Sequence, residues 1–376
     1  MNIPLPRLEF TRRQEKVCKL TEDKGFDALL IIARAPDRPG HVRYLTNYYP
    51  PLPSSATGET QRGRGYAALL LPIREKSLLV TDVTYYQKET IVAEDILSNS
   101  NWISAIIKAI KIRKLQKAII GVAGTDILPT TYLEELREAL PTVEFKNADE
   151  LLWALRFVKS EQELTLMQQA AEVADKAMNA AIQTLREGIT EREVAATVGK
   201  IIMENGVEFI STLFVQSGKG STYSLRWPPA TNRKLRRGDM VLMDFVASMD
   251  TGYWLDITRT TILGNPTNKQ RGIFERVLEA NRLALKASQP GIPIEAIKEA
   301  IRELSEEPGY TGHGLGLELE PPYIVEGDKT ILKPGMVLCI EPGFYDPKIG
   351  GARIEDEILI TETGARYLTK FERKLW

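Results

Sequence analysis

Asp244 interrupts an otherwise apolar run, VLMDFVAS, and Asp256 does the same in YWLDITRT. An unpaired carboxylate buried in such a run is costly or is driven to take up a proton, so something positive has to face it. The turn at 249–252 would fold the two runs into a hairpin and bring both carboxylates to one face of a sheet, where two like charges need a cation. Glu341 in VLCIEPG and Glu355 in ARIEDEIL repeat the pattern on two further strands, and His313 stands in the flexible sequence TGHGLGLE. Five potential ligands thus come from separate strands and a loop. A carboxylate-rich set with one imidazole suits divalent ions such as Mn, Co, Fe or Zn, and bridging carboxylates hold two of them about 3.5–4 Å apart. Four carboxylates balance two such cations. A water held between them is acidified into a nucleophile while the ions polarise the carbonyl under attack, so hydrolysis needs no protein nucleophile.

Each acid taken alone reads equally well as the buried partner of Arg259, Arg353 or a lysine. Four of them together, with the only histidine in that part of the chain, make an unusual coincidence for structural ion pairs. The glycines from Gly312 to Gly316 have an alternative of their own, a phosphate-cradling loop. They alternate with single residues, however, and no strand–loop–helix context surrounds them.

The elements that must position these residues fall into two groups. From Phe26 to about Val143, short apolar runs (ALLIIA, YAALLLP, SLLVT, KAIIGVA) alternate with helix-like stretches such as TYLEELREAL, the rhythm of an α/β domain. A polar stretch at 57–64, TGETQRGR, reads as a long surface loop. Near Glu150 the period changes, and LLWALRFVKSEQELTLMQQAAEVADKAMNAAIQTL predicts one or two long amphipathic helices. Gly188 ends them; Thr190 with Glu193 forms a capping box that starts a helix through about Asn205. Beyond Phe209, strand-like runs dominate, interrupted by helical stretches at 269–287 and 294–303, which predicts an α+β domain with a mixed or antiparallel sheet.

Bulk properties narrow the function. A chain of 376 residues is long for one core, so a small and a larger domain are expected. Forty-nine basic against fifty acidic residues leave no global field to recruit nucleic acid or an anionic membrane. No segment has the length of a signal peptide core or a membrane span. Cys18 and Cys339 are too far apart in sequence to suggest a disulfide framework, so the cytoplasm is the expected compartment. Two histidines in the whole chain exclude a site that needs three.

At the five candidate ligands the sequence resembles the superfamily of methionine aminopeptidase, prolidase (Xaa-Pro dipeptidase), aminopeptidase P and creatinase, known for its pita-bread fold. YLTNYYP is similar to the small-domain YLTGF motif, RFVKSEQELTLMQQAAEVAD to the linker helix and GITEREVA to the helix after it. RKLRRGDMVLMDF, GYWLDITRT, GHGLGLE, IEPGFY and GGARIEDEIL fit the catalytic domain. The resemblance implies an α+β fold: a pita-bread catalytic domain over 156–376, preceded by a smaller α/β creatinase/prolidase-type domain over 1–155 that serves dimerisation and as a pocket lid. It also implies that Asp244, Asp256, His313, Glu341 and Glu355 bind two divalent ions, with Glu341 and His313 catalytic and Glu341 shuttling the proton of the attacking water. Glu341 and Glu355 lie fourteen apart, as in prolidases.

The departures are specific. Asp256 follows Asp244 by twelve positions rather than the common eleven, and Val246 replaces a usual glycine. Peptidase members carry a histidine before the DRKL-like segment and another in GLEVHEPP. Here those places read SLRWPPATNRKL and GLELEPP, leaving Arg226 or Trp227 at the first and a deletion or Glu320 at the second. Arg226 could hold an acidic group of the substrate or be a solvated loop residue. Trp227 and Tyr223 could wall a proline pocket or simply pack, Arg353 is a further candidate substrate contact, and His41 is expected to be structural or exposed.

Three functions compete. The first is a metal-dependent Xaa-Pro peptidase, dipeptidase or aminopeptidase, acting on short peptides. The second is a non-peptidase member acting on a small amide, a cyclic amidine or a sulfonium compound. The third is a binding module that has lost catalysis, against which the complete ligand set argues. Creatinase itself matches poorly, because it dispenses with the metal set and relies on histidine. The expected assembly is a homodimer, with the loop at 57–64 able to reach the partner's active site.

Overall fold

The computed structural model describes residues 4–50, 62–82, 86–307 and 309–375. Of the stretch 57–64 expected as a surface loop, residues 57–61 lie outside these; Arg62 to Gly65 form turns. The chain divides into two units, Met1–Arg156 and Phe157–Trp376.

The first unit contains α1 (Arg7–Asp23), β1 (Ala28–Arg34), α2 (Gly40–Thr46), β2 (Tyr66–Pro72), β3 (Leu78–Thr81), β4 (Asp95–Ser98), α3 (Trp102–Ile112), β5 (Ile119–Ala123), α4 (Thr130–Ala139), β6 (Glu144–Asn147) and α5 (Asp149–Arg156). Its sheet runs in the order β4-β3-β2-β1-β5-β6, with β1 parallel to β5 and antiparallel to β2. The apolar run ALLIIA becomes β1, whose first six residues are buried, as befits a central strand covered on both faces. His41 is buried here. Its Nδ1 accepts from Arg156 at 2.9 Å, its ring packs on Trp153, and burial followed by the charges of Arg156 and Arg38 holds it neutral.

The second unit opens with the helices predicted by the 3.6-residue period. α6 (Glu161–Thr184) and α7 (Glu191–Glu204) each begin with a capping box, Ser160 with Glu163 and Thr190 with Glu193. The long amphipathic stretch breaks between α5 and α6, where Ser160 turns extended to cap the second helix. Three antiparallel strands follow in spatial order: β7 (Val207–Ser217), β8 (Met240–Met249) and β9 (Trp254–Ile262). Then come α8 (Asn268–Ala287), α9 (Glu295–Ala300), β10 (Gly312–Leu315), β11 (Leu319–Tyr323), β12 (Val337–Ile340), β13 (Gly343–Asp346), β14 (Gly350–Arg353), β15 (Asp356–Thr361) and β16 (Gly364–Tyr367). These form an antiparallel sheet ordered β11-β10-β12-β15-β16 and a hairpin of β13 with β14. The helix expected over 294–303 is shorter, because beyond Ala300 the backbone closes i→i−3 bonds, as from Ile301 to Lys298 and Arg302 to Glu299.

The alternation along β8 and β9 decides what the sheet presents. Val241, Met243, Phe245 and Ala247, with Leu255 and Ile257, join the core formed with α6 and α7. Asp244, Val246, Asp256 and Thr258 therefore project from the opposite face. A bridge from Thr258 to Glu355 ties this face to the second sheet. Arg259 holds the junction: it donates to the carbonyls of Glu355 at 2.6 Å and Phe371 at 2.8 Å and to Asp356 at 2.7 Å, with both charges buried. Replacing Arg259 by Leu removes one of the two guanidinium partners of a fully buried Asp356, the other being Arg373. The expected loss is about 3–5 kcal/mol, measured as a lower urea midpoint at unchanged slope.

Candidate metal centre

The β8–β9 hairpin places Val246 opposite Asp256 and Asp244 opposite Thr258, so the two aspartates are diagonal neighbours on the face turned away from the helices. The turn between the two strands closes from Met249 to Tyr253. His313 lies on β10 rather than in a loop, paired with Cys339 of β12. The glycines around it answer a close approach of strands: a Cβ at Gly312 would stand 2.2 Å from the carbonyl oxygen of Cys339, and one at Gly314 2.5 Å from that of Pro321. This packing accounts for the glycine spacing and leaves the phosphate-loop alternative without a helix to build on. Glu341 sits just past the end of β12, and Glu355 between β14 and β15.

All five side chains converge on one cavity of about 300 Å³ and are at least nine-tenths buried. His313 Nε2 stands 3.6 Å from Asp256, 3.8 Å from Glu341 and 4.0 Å from Glu355. Its Nδ1 lies 2.9 Å from the carbonyl of Gly314, which fixes the proton on Nδ1 and leaves the Nε2 lone pair aimed at the carboxylates. Burial lowers its proton affinity, so the imidazole is neutral, as a metal ligand must be. On the far side Asp244 accepts from Arg353 Nη2. Arg353 Nε approaches Glu341 to 3.8 Å, and Thr258 donates to Glu355 at 2.8 Å.

The charges do not balance. Burial pushes Asp244, Asp256, Glu341 and Glu355 all above the usual carboxylate range; mutual repulsion adds to this for Asp244, Asp256 and Glu341, and Arg353 opposes it for Asp244, Glu341 and Glu355. Oδ1 of Asp244 and Oδ1 of Asp256 are buried with no hydrogen-bond partner. One arginine, shared also with the fifth cavity acid Glu307, meets only part of the reading that each acid has its own counter-ion. Orphaned oxygens, a lone pair turned inward and donors 3.6–4.0 Å apart fit a divalent ion with bonds near 2.0–2.2 Å.

The remaining candidates are placed elsewhere, except Arg353. Arg226 donates to Glu191 at 2.7 Å at the start of α7 and does not line the cavity. Trp227 is 83% exposed and does not line it either. Glu320 is buried against Lys159, with Nζ to Oε1 at 2.6 Å, so its carboxylate does not take the place of the absent histidine. The cavity wall there is Leu319. Composition and motif matching alone do not single out Tyr310, Glu307, Ser224 and Tyr345. Tyr310 lies edge-on to His313, ring centres 5.9 Å apart, and lines the cavity. Glu307 accepts from Tyr345 at 2.6 Å and from Ser224, and Arg353 donates to the carbonyl of Ser224 at 3.2 Å, which fixes the arginine from behind. An aromatic three residues before His313 and a tyrosine four after Glu341 were the available signals.

Residues 165–362 match metallopeptidase family M24, and residues 13–158 match the creatinase/prolidase N-terminal domain. The chain is 36% identical over 377 residues to an Xaa-Pro dipeptidase of Pyrococcus furiosus, covering 96% of this chain and 99% of that protein. Among solved structures, the prolidase from Pyrococcus horikoshii OT3 has a TM-score of 0.82 at 34% identity, covering 97% of this chain and 100% of that one. An X-Pro aminopeptidase from Thermotoga maritima MSB8 has a TM-score of 0.83 at 27% identity, covering 97% and 99%. The chain therefore belongs to metallopeptidase family M24, as a metal-dependent hydrolase whose α+β pita-bread unit follows a creatinase/prolidase-type N-terminal domain.

Proposed function

We propose that this protein is a two-metal Xaa-Pro peptidase, dipeptidase or aminopeptidase, that hydrolyses short peptides. The observation that carries the reading is the convergence of Asp244, Asp256, His313, Glu341 and Glu355 on one cavity, in a chain similar along nearly its whole length to proteins named Xaa-Pro dipeptidase. A cavity of about 300 Å³ is at the small end of the range for organic ligands, which suits two residues better than a long peptide.

Two divalent ions, from Mn, Co, Fe or Zn, would be held by those five residues and would polarise the scissile carbonyl and activate a water. The residues themselves do the rest. Glu341 is the least buried of the five, at 8% exposure, which places it to take a proton from the attacking water and pass it to the leaving amine. Asp244 and Arg353 orient one another, and Arg353 also presents its charge to the cavity, where it suits a substrate carboxylate. The first unit is proposed to serve dimerisation and cover the pocket. A reducing cytoplasm suits the two free cysteines.

Neither usual histidine is present to donate a hydrogen bond to the oxygen that gains charge. Tyr310 is the proposed substitute. Partial burial, then the negative charges of Glu341, Glu355 and Asp256, raise the proton affinity of its phenol, whose hydroxyl can donate. The same lack of histidine, with Leu225 and Leu319 on the wall, favours a second reading, a small amide, cyclic amidine or sulfonium compound as substrate.

Chelation is expected to abolish activity, and two equivalents of manganese or cobalt per chain to restore it, on a panel of Xaa-Pro dipeptides, longer Xaa-Pro peptides and small cyclic amides. Turnover of the cyclic amides alone moves the assignment to the second reading, and a metal-free active protein ends both. Tyr310→Phe should lower kcat about 10²-fold with metal content unchanged, on the scale of a lost oxyanion donor; unaltered kcat rejects that role. Light scattering should give twice the chain mass, and a monomer would refute the dimer.

A further inference from the structure

Cys339 is fully buried and has no part in the catalysis described above. On β12 it stands opposite His313 of β10 on one side and Glu357 of β15 on the other, so the three side chains leave the same face of the sheet. Glu341, two residues on, continues in that direction. One donor atom each from Asp256, His313, Cys339 and Glu355 lies within 4.8 Å of the other three. A sphere enclosing four such atoms has a radius of at most about 2.9 Å, against bond lengths of about 2.0–2.3 Å for oxygen, nitrogen and sulfur on zinc. A contraction of under about 1 Å per atom closes the group on one ion.

A second feature marks the same corner. Glu357 is fully buried, and although its Oε1 accepts from the Asp256 amide at 3.1 Å, its Oε2 has no partner. Oδ1 of Asp256 is unpartnered as well. Two buried acceptor oxygens on residues beside Cys339 are thus left without a donor.

We infer that Cys339 is a sulfur ligand to the divalent ion held by Asp256, His313 and Glu355, and that it biases this position toward thiophilic ions such as zinc, cobalt and cadmium over manganese and magnesium. The inference rests on the metal-centre reading above. On loading, the ion replaces the thiol proton, which leaves to solvent, and no redox change occurs. Softer donors favour softer ions, so a sulfur added to an oxygen-rich set shifts selectivity without altering the other ligands.

The test uses the full chain carrying Cys18→Ser, which leaves Cys339 as its single thiol. Loaded with cobalt(II), this protein should show a near-ultraviolet thiolate-to-cobalt charge-transfer band, lost in Cys339→Thr and Cys339→Ser while bound cobalt and its visible bands remain. Cadmium should displace manganese from the parent at least tenfold more readily than from either variant. Should the variants fail to fold, zinc X-ray absorption on the parent still decides, with one sulfur expected at about 2.3 Å. Bound cobalt with no charge-transfer band, or a zinc shell without sulfur, overturns this inference and leaves the metal centre standing. A chain that binds neither ion overturns both.

Discussion

Five carboxyl groups, those of Asp244, Asp256, Glu307, Glu341 and Glu355, line one buried space in which Arg353 is the only full positive charge among the described lining residues. Removing such charges from water is expensive, and a single guanidinium meets the need of one of them. Much of the second unit can be understood as the structure needed to keep this arrangement folded until cations complete it. Core packing on the helix-facing side of β8 and β9 is dense and apolar, so the hairpin has no freedom to turn its aspartates outward. Arg259, Asp356 and Arg373 form a separate ion network beside the same strands, two guanidiniums around one carboxylate, that adds no charge to the cavity.

The balance between the two networks is instructive. Asp356 follows Glu355 directly, yet the two carboxylates point to opposite faces, one to the cavity and one to Arg259 and Arg373. A change of a single position in register would exchange them and place a satisfied acid in the metal centre and a ligand among arginines. The bridge between Thr258 and Glu355, with the Thr258 hydroxyl bound to the same glutamate, holds that register where the two sheets meet. Strand pairing is thus part of the metal chemistry.

Much of this is legible in the sequence because period-two alternation exposes it. A charged residue inside an apolar run is conspicuous at Asp244, Asp256 and Glu341, and the capping box at Thr190 marks one of the helices that cover the sheet, whereas the box at Ser160 emerges only in the structure. His313 reads as a loop residue because glycines normally signal turns; here they make room for neighbouring backbone at 2.2 and 2.5 Å, a requirement that only the paired strands reveal. Arg226 stands beside the position of an absent histidine, but its partner Glu191 lies 35 residues away in sequence, and no local pattern announces that contact. Tyr310 and Glu307 are equally silent, since their importance comes from what faces them across the cavity. Cys339 is an intermediate case: its place two residues before Glu341 gives its side of the strand, while its nearness to His313 depends on the pairing of β10 with β12.

The wall of the cavity has departed from the family pattern further than its floor. All five residues that the resemblance implies as ligands line the cavity, whereas on the hairpin from β10 to β11 Leu319 lines it and Glu320 turns to Lys159. The register of β10 with β11 shifts between His313 and Gly314, and the buried pair of Lys159 with Glu320 anchors the strand that carries Leu319. The five converging residues come from the strands and their ends, while the rest of the wall comes from Leu319 and the segment around Ser224, Leu225 and Tyr310, which touches them through Arg353 and His313.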